Sequence, residues 1–395
     1  MDKDLKGKTI EELEQIAVGL ATSNGVGLGR LASGGQGRQK YLAGYIFSFI
    51  HDKGIGEISQ ISPLSKAFRG QLAEQGYYIS QLKTINKLTD PDGTVKYVFE
   101  MAPLEGNCLT GLADGDGSTG SPSRAKSRDR IETVLLFDGR RRTLCVSTQV
   151  GCAMGCVFCA TGGIKLKRNL TAGEIVDQVN TVYKDGAEIT NVVYMGMGEP
   201  LQNYDAVVKS IRILNHPAGK NIGIRHLTVS TCGDAAAIRK LAEEDVHPRL
   251  AISLNAPTDV LRTKLMPINA KYPISDVLSA ADFYRLRTKQ RVTFEYVLIK
   301  SVNDTVLHAQ MLAKLLKGAG VCVNPPHAWR INLIEYNPHP GCKFVASSVE
   351  RIERFSEVLE KAGIKTTVRL RLGQSINAAC GQLGADWTEE RKTES

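Results

Sequence analysis

Two textures of apolar spacing divide the chain. Up to about residue 104, apolar side chains recur mostly at helical intervals; from about 131, short apolar runs alternate with amphipathic stretches. Leu5, Ile10, Leu13, Ile16, Ala17 and Leu20 fall near a 3.6-residue period and predict a helix over 1–22. Two further helices are predicted over 39–52 and 63–75. Residues 79–102 read as two strands joined at Asp90-Pro91-Asp92-Gly93, a sequence suited to a hairpin turn. Residues 24–37 are rich in glycine. A dinucleotide-binding fingerprint would need a preceding strand and an acidic residue ~20 positions on, and neither is present, so a loop is expected. Residues 105–130 are rich in Gly, Ser, Asp and Arg and read as a linker or insertion.

The second texture predicts strands over 143–149, 191–194, 226–230, 250–254, 292–299 and 331–335, with a late strand over 365–370. Helical patterns separate them, and one opens on Thr171-Ala172-Gly173-Glu174, a capping box. Strand–helix alternation implies a parallel sheet with helices outside it. About six such units make an incomplete barrel. The expected division is an N-terminal helical-plus-hairpin accessory domain over 1–104, a linker over 105–130 and a catalytic α/β domain over 131–395. Sheets of this kind place their sites beyond the carboxyl ends of the strands. The chain fits that rule. A cysteine-rich loop follows the first strand and Met195-Gly196-Met197-Gly198-Glu199-Pro200 follows the second. Ser230 ends the third, Ser253 and Asn255 end the fourth, and Asn337 follows the sixth.

Composition narrows the class. Hydrophobic residues make up 42% of the 395 residues, enough for a sizeable core, and no apolar run approaches the ~18–20 residues of a membrane span. The charged start Met1-Asp2-Lys3-Asp4 lacks the apolar stretch of a signal peptide. A cytoplasmic, monomeric protein with no membrane association is expected, and nine cysteines, an odd number, argue against a secreted disulfide framework. The formal charge of +9 is balanced between a solvated basic surface and a nucleic-acid footprint. Clusters at Arg140-Arg141-Arg142, Lys165 to Arg168, and Arg369 with Arg371 incline it toward RNA.

The chemistry concentrates in Gly151-Cys152-Ala153-Met154-Gly155-Cys156-Val157-Phe158-Cys159, a C-x3-C-x2-C spacing. Three thiolates are one too few to close a tetrahedral zinc site, and no histidine lies nearby in sequence. They suffice for three irons of a [4Fe–4S] cube, leaving the fourth open to a small chelating molecule. Gly198 would permit close backbone approach and Glu199 could pair with a ligand ammonium. Ser230, Ser253, Asn255 and Asn337 could bind ribose hydroxyls or a carboxylate. Each alone also suits a turn or cap; gathered at one sheet end, they suit a ligand.

These residues resemble the radical S-adenosylmethionine (SAM) enzymes, and more narrowly the RNA adenine methyltransferases that include the RlmN and Cfr enzymes. The similarity is carried by Ile131-Glu132-Thr133-Val134, by Thr143 through Cys152, by the cysteine run and by Met195 through Pro200. It continues in Ser253-Leu254-Asn255-Ala256-Pro257, Met266-Pro267-Ile268-Asn269, Asn337-Pro338 and Ala378-Ala379-Cys380-Gly381-Gln382-Leu383. The resemblance implies a partial (β/α)6 radical SAM barrel with a small, mainly helical N-terminal accessory domain. It implies that Cys152, Cys156 and Cys159 hold a [4Fe–4S] cluster, and that SAM is consumed twice per turnover, near Gly198, Glu199, Ser230, Ser253, Asn255 and Asn337. By the same resemblance Cys380 carries a methyl group, Cys145 resolves it through a transient disulfide, and Glu132 accepts the adenine proton. The implied substrates are 23S rRNA and tRNA beside the anticodon, methylated at adenine carbon 2, with a flavodoxin or ferredoxin as electron donor. Rival readings are a carbon-8 enzyme, a radical SAM enzyme for a small molecule, a non-enzymatic iron–sulfur RNA-binding protein and a zinc module. Cys232, Cys322 and Cys342 match no role and read as structural, and Cys108 reads as incidental. The chain departs from the family at Gly373-Gln374-Ser375-Ile376-Asn377, where acidic residues usually precede the Cys380 motif.

Overall fold

The computed structural model describes residues 3–23, 37–101, 129–320, 329–369 and 371–387. The glycine-rich segment 24–36, most of the insertion with Cys108, and Cys322 lie outside the described residues. The strands are β1 (Lys83–Thr89), β2 (Val95–Glu100), β3 (Arg130–Asp138), β4 (Arg141–Cys145), β5 (Gln149–Val150), β6 (Arg168–Asn169), β7 (Asn191–Tyr194), β8 (Leu227–Thr231), β9 (Arg249–Ser253), β10 (Val292–Leu298), β11 (Trp329–Glu335) and β12 (Thr366–Arg369). Three helices precede the strands: α1 (Ile10–Ser23), α2 (Gly37–His51) and α3 (Lys66–Glu74). The remaining seven are α4 (Ala172–Lys184), α5 (Tyr204–Asn215), α6 (Ala235–Ala242), α7 (Asp259–Leu265), α8 (Ile274–Thr288), α9 (Val306–Gly318) and α10 (Val349–Lys361).

One ten-stranded sheet runs in the order β1-β2-β3-β4-β7-β8-β9-β10-β11-β12. From β4 to β12 all neighbours are parallel, which matches the expected β–α alternation and adds the late strand as a seventh. β1, β2, β3 and β4 pair antiparallel, so the hairpin at Asp90–Gly93 is the edge of the same sheet. β3 is an addition to the expected strands. Its residues 131–135 are buried and it lies between two paired neighbours, so it lacks the alternation that marks a half-exposed strand.

Local chemistry moves two boundaries. The expected first helix does not run unbroken from residue 1. Residues Leu5–Gly7 form a 3-10 turn capped by Asp4, and α1 begins only after Thr9. There the Thr9 amide donates to Glu12 Oε2 at 2.8 Å and the Glu12 amide donates to Thr9 Oγ1 at 3.4 Å, a capping box that restarts the chain. The first barrel strand ends at Cys145 rather than 149. The Ser147 amide is diverted to Gln178 Oε1 at 2.8 Å and the Thr148 amide to the Met197 carbonyl at 2.8 Å.

The N-terminal helices pack on the α4 and α5 side of the barrel. Lys6 and Asp177 of α4 form an ion pair in which both side chains are almost wholly buried. Asp177 also accepts the Leu82 amide at 2.6 Å, and Lys209 of α5 reaches Glu12 at 2.7 Å. Buried apolar side chains run without a break from Leu13 and Phe47 through Val179 and Ile211 to the sheet residues Val192 and Phe294.

Candidate active site at the carboxyl end of the barrel

The cysteine loop leaves β4 through the short β5 and returns through β6. Gly151 turns it with φ of +77°, where a Cβ would stand 2.3 Å from the Lys165 carbonyl oxygen. The Cys152 amide donates to the Ile164 carbonyl at 3.0 Å and the Cys159 amide to the Cys156 carbonyl at 3.1 Å, closing a compact hairpin around the thiols. Burial pushes the Cys152 thiol up to about 12, helped by the Glu199 carboxylate and the other two cysteines. Burial also pushes Cys159 up to about 11, with Cys156 adding to it. Among the described residues, no three His, Cys, Asp or Glu side chains converge as ligands of a single metal ion would. Three thiols on one short loop suit the three protein-ligated irons of a cube. A bound cationic centre would also overcome the burial penalty on their thiolates.

The second loop is laced onto the first. Gly198 has φ of +99°, and a Cβ there would lie 2.6 Å from Gln149 Cβ, so its missing side chain serves close packing against β5. The Glu199 amide donates to Gln149 Oε1 at 2.8 Å. Its carboxylate is 2% exposed and accepts the Leu201 amide at 3.1 Å and the Cys232 amide at 2.7 Å. Burial raises its pKa, opposed by those hydrogen bonds. Ser230 and Ser253 are half-buried at the ends of β8 and β9. Asn255 is committed to the scaffold. Its Oδ1 accepts the Val297 amide at 2.8 Å, and its Nδ2 meets Met266 Sδ at 3.3 Å. Asn337 donates from Nδ2 to the Cys380 carbonyl at 3.0 Å, while its Oδ1 is buried without a partner. It therefore holds the Cys380 loop and has one acceptor to spare.

Cys145 and Cys380 line one cavity of about 410 Å³ inside the barrel, together with Met195, Asn337 and Arg369. Cys145 is buried at the end of β4 and Cys380 is exposed. Burial pushes Cys145 up to about 12, with the charge of Cys380 adding to it. Arg369, the last residue of β12, brings its guanidinium within 3.9 Å of Cys380 Sγ and 3.8 Å of Met195 Sδ. Glu295 Oε1 lies 3.7 Å from that guanidinium and accepts from Asn332 Nδ2 at 2.9 Å. Glu295 raises the Arg369 pKa, and Cys380 and Cys145 add to the effect. In sequence Arg369 stands out only as part of a basic cluster with Arg371. Nothing local signals its place beside Cys380.

The Cys380 loop is tied on three sides. The Ala160 amide donates to the Gly381 carbonyl at 2.8 Å, and Thr161 Oγ1 to the Leu383 carbonyl at 2.7 Å, which joins it to the cysteine loop. Glu132 is 1% exposed, and its Oε2 accepts the Gly384 amide at 3.0 Å, with Lys96 Nζ 3.7 Å from its Oε1. Burial raises the Glu132 pKa against the pull of Lys96. On the third side Asp90 accepts from the Ser375 amide at 2.9 Å and from Ser375 Oγ at 2.6 Å, and Asp92 accepts the Gly373 amide at 2.7 Å. Two carboxylates of the β1–β2 turn thus reach the segment 373–377 across space.

Two further cysteines border the first loop. Cys232 Sγ lies 3.8 Å from Cys156 Sγ, and the Cys342 thiol meets the Val157 carbonyl at 3.6 Å. In sequence both look only structural, because their spacing joins no motif.

Residues 146–312 match the model of the radical SAM superfamily. The chain is 44% identical over 355 residues to the "Probable dual-specificity RNA methyltransferase RlmN" of Dictyoglomus thermophilum, covering 89% of this chain and 92% of that one. It is 41% identical over 356 residues to the dual-specificity RNA methyltransferase RlmN of Syntrophobacter fumaroxidans, covering 89% and 94%. The crystal structure of a radical SAM methyltransferase from Sphaerobacter thermophilus superposes with a TM-score of 0.80 at 38% identity, over 97% of this chain and all of that one. The superfamily implies a [4Fe–4S] cluster and SAM, which the cysteine loop fits. With that loop, the partial barrel and a likeness spanning nearly its whole length, the chain belongs to the RlmN family of radical SAM methyltransferases.

Proposed function

We propose that this protein methylates carbon 2 of one adenine in 23S rRNA and of the adenine 3′ to the anticodon in tRNA. The observation that carries the reading is the placement of Cys145 and Cys380 on one cavity, next to the cysteine loop, with Arg369 beside Cys380. A small-molecule radical SAM enzyme would have no use for that pair. The relatives above are named as probable or assigned dual-specificity RNA methyltransferases, which supports RNA as the substrate.

Cys152, Cys156 and Cys159 would hold the cluster, with Glu199, Ser230 and Ser253 near the SAM that binds it. When bound, cluster and SAM supply a methyl group and a carbon-centred radical. An electron-poor ring carbon between two nitrogens cannot attack a methyl donor as a nucleophile, so a radical route has a chemical reason. Cys380 acts first as the methyl acceptor: its thiolate sulfur forms the S–CH3 bond as the donor's sulfur leaves with the bonding pair. Arg369 keeps a positive charge against that sulfur, and Asn337 and Asp90 hold the loop in place. The radical would remove a hydrogen atom from the S-methyl carbon, that carbon would bond to the ring carbon, Glu132 would accept the ring proton displaced, and the electron left over on the ring would return to the oxidised cluster. Cys145 sulfur would bond to Cys380 sulfur as the bond between that sulfur and the transferred carbon breaks; the electron pair stays on the carbon, and a proton matching the one the Cys145 thiol gives up completes the methyl group. Both cysteines end as a disulfide, which an external dithiol must reopen. One SAM would supply the methyl and a second the radical. A flavodoxin or ferredoxin would supply electrons, and segment 1–104 would add RNA contacts. A cytoplasmic monomer suits this role, and no described helix is long and apolar enough to cross a membrane.

The test is expression in a bacterium lacking its own carbon-2 methyltransferase, with mass spectrometry of rRNA and tRNA nucleosides. The expected product is 2-methyladenosine in both, lost in Cys380→Ala and in Cys145→Ala. Appearance of 8-methyladenosine in its place, or full activity of Cys380→Ala, would overturn the reading.

A further inference from the structure

The opposite end of the barrel carries a second concentration of charge that methyl transfer does not use. Arg141 opens β4, Arg249 opens β9, Arg291 directly precedes β10, and Arg330 is the second residue of β11. The register Val292↔Leu250 sets Arg291 beside Arg249, and Thr293↔Arg330 brings the third alongside. Alternation along the strands settles which face they share. Arg141 and Arg330 line the same cavity as Cys145, with Thr143 and Asn332 as the next residues inward. Arg249 and Arg291 stand four residues before Ser253 and Glu295, so they share the lumen face with them. At the usual rise per residue these arginines sit about 13 Å along the strands from the cysteine end. Arg225, in the turn before β8, adds a fifth charge at the rim.

Several arginines elsewhere are paired with carboxylates, as Arg142 is with Glu188, Arg212 with Glu244 and Arg371 with Glu335. Among the described residues these five make no ion pair, and the Nε of Arg330 is buried without a hydrogen-bond partner. Asp138 lines the same cavity and lies opposite Arg141 in the register, yet forms no ion pair with it. Burial holds Arg249 below the usual guanidinium range, and Arg291, Arg141, Arg225 and Arg330 each push it further down. Arg291 is lowered by burial and then by Arg330 and Arg141. Like charges facing one lumen and paired with no carboxylate repel, and a bound polyanion relieves the repulsion. The planar fork of arginine matches phosphate oxygens better than a point charge does.

We propose that the amino-terminal end of the barrel lumen is a phosphate-binding site built by Arg141, Arg249, Arg291 and Arg330, with Arg225 at its rim. It takes phosphate groups either from an RNA strand or from a free phosphorylated small molecule.

The test compares cluster-loaded wild-type protein with the R249Q/R291Q/R330Q variant, and with Arg291→Gln alone should the triple variant fail to fold. In low-salt buffer free of phosphate, both variants are expected to melt higher than wild type, because repulsion is removed. A purely structural role for the arginines would lower the melting temperature, and that result would overturn the proposal. Pyrophosphate is expected to raise the wild-type melting temperature and to leave the triple variant unmoved. An equal rise in both, or none in either, would also overturn it. A second arm measures affinity for a short single-stranded RNA against salt. If RNA is the source, the slope of log affinity against log salt falls by about 2 in the triple variant. Loss of the pyrophosphate response with an unchanged RNA slope would assign the site to a free phosphorylated molecule.

Discussion

Cys145 and Cys380 have opposite surroundings, and that contrast sets their reactivity. Cys380 is exposed beside a guanidinium, whereas burial pushes Cys145 up to about 12. Because the thiolate is the nucleophile, Cys145 stays protonated through neutral and mildly alkaline pH and gains reactivity only as pH rises toward its own value. Iodoacetamide at pH 8 is therefore expected to label Cys380 and spare Cys145, as read by peptide mass spectrometry. Raising the pH to 10 should leave Cys145 still largely unlabelled. Arg369→Gln should slow the labelling of Cys380 several-fold while Arg369→Lys retains most of it. The sequence marks both cysteines through the motifs around them, but their difference in exposure comes from the strand end and the loop that carry them. Glu199 teaches the same lesson in reverse. It reads as a ligand partner, and its carboxylate also holds the Leu201 and Cys232 amides, because a buried carboxylate must satisfy its lone pairs.

At the scale of elements, the β1–β2 turn is the informative case. Asp90-Pro91-Asp92-Gly93 is legible as a hairpin turn from its residues alone. Its function is not, because the partners Ser375 and Gly373 are more than 280 positions away in sequence. The turn clamps the segment that leads to Cys380. Asp90→Ala is expected to speed hydrogen exchange at the Ser375 amide and to lower the turnover rate several-fold. The overall melting temperature should change little, since the loss is confined to one loop. Unchanged exchange at Ser375 would show that the clamp is not in place. The late strand β12 is similar. Its β-branched residues Thr366, Thr367 and Val368 suit a strand, but only its position beside β11 brings Arg369 to the reacting thiol.

At the scale of the whole molecule, the N-terminal segment is locked to the barrel by a buried charge pair. Lys6 and Asp177 are 1% and 3% exposed, and burial lowers the Lys6 pKa against the attraction of Asp177. Removing one partner strands the other charge in the interior, so Lys6→Ala is expected to cost about 3–5 kcal/mol in chemical denaturation. The double variant K6M/D177L should recover most of that loss, as no unpaired charge remains; a double variant as unstable as the single one would sink this account. What the sequence determined by itself was local in origin. Strand–helix alternation, the hairpin turn and the C-x3-C-x2-C loop depend on residues within a few positions of one another, and periodicity reports them directly. Only the tertiary structure decided which distant groups meet. It put Cys232 against Cys156, Arg369 against Cys380, Asp90 against Ser375, and unpaired arginines around one lumen. Those contacts follow from strand order and register, which the hydrogen-bonding of the whole sheet sets.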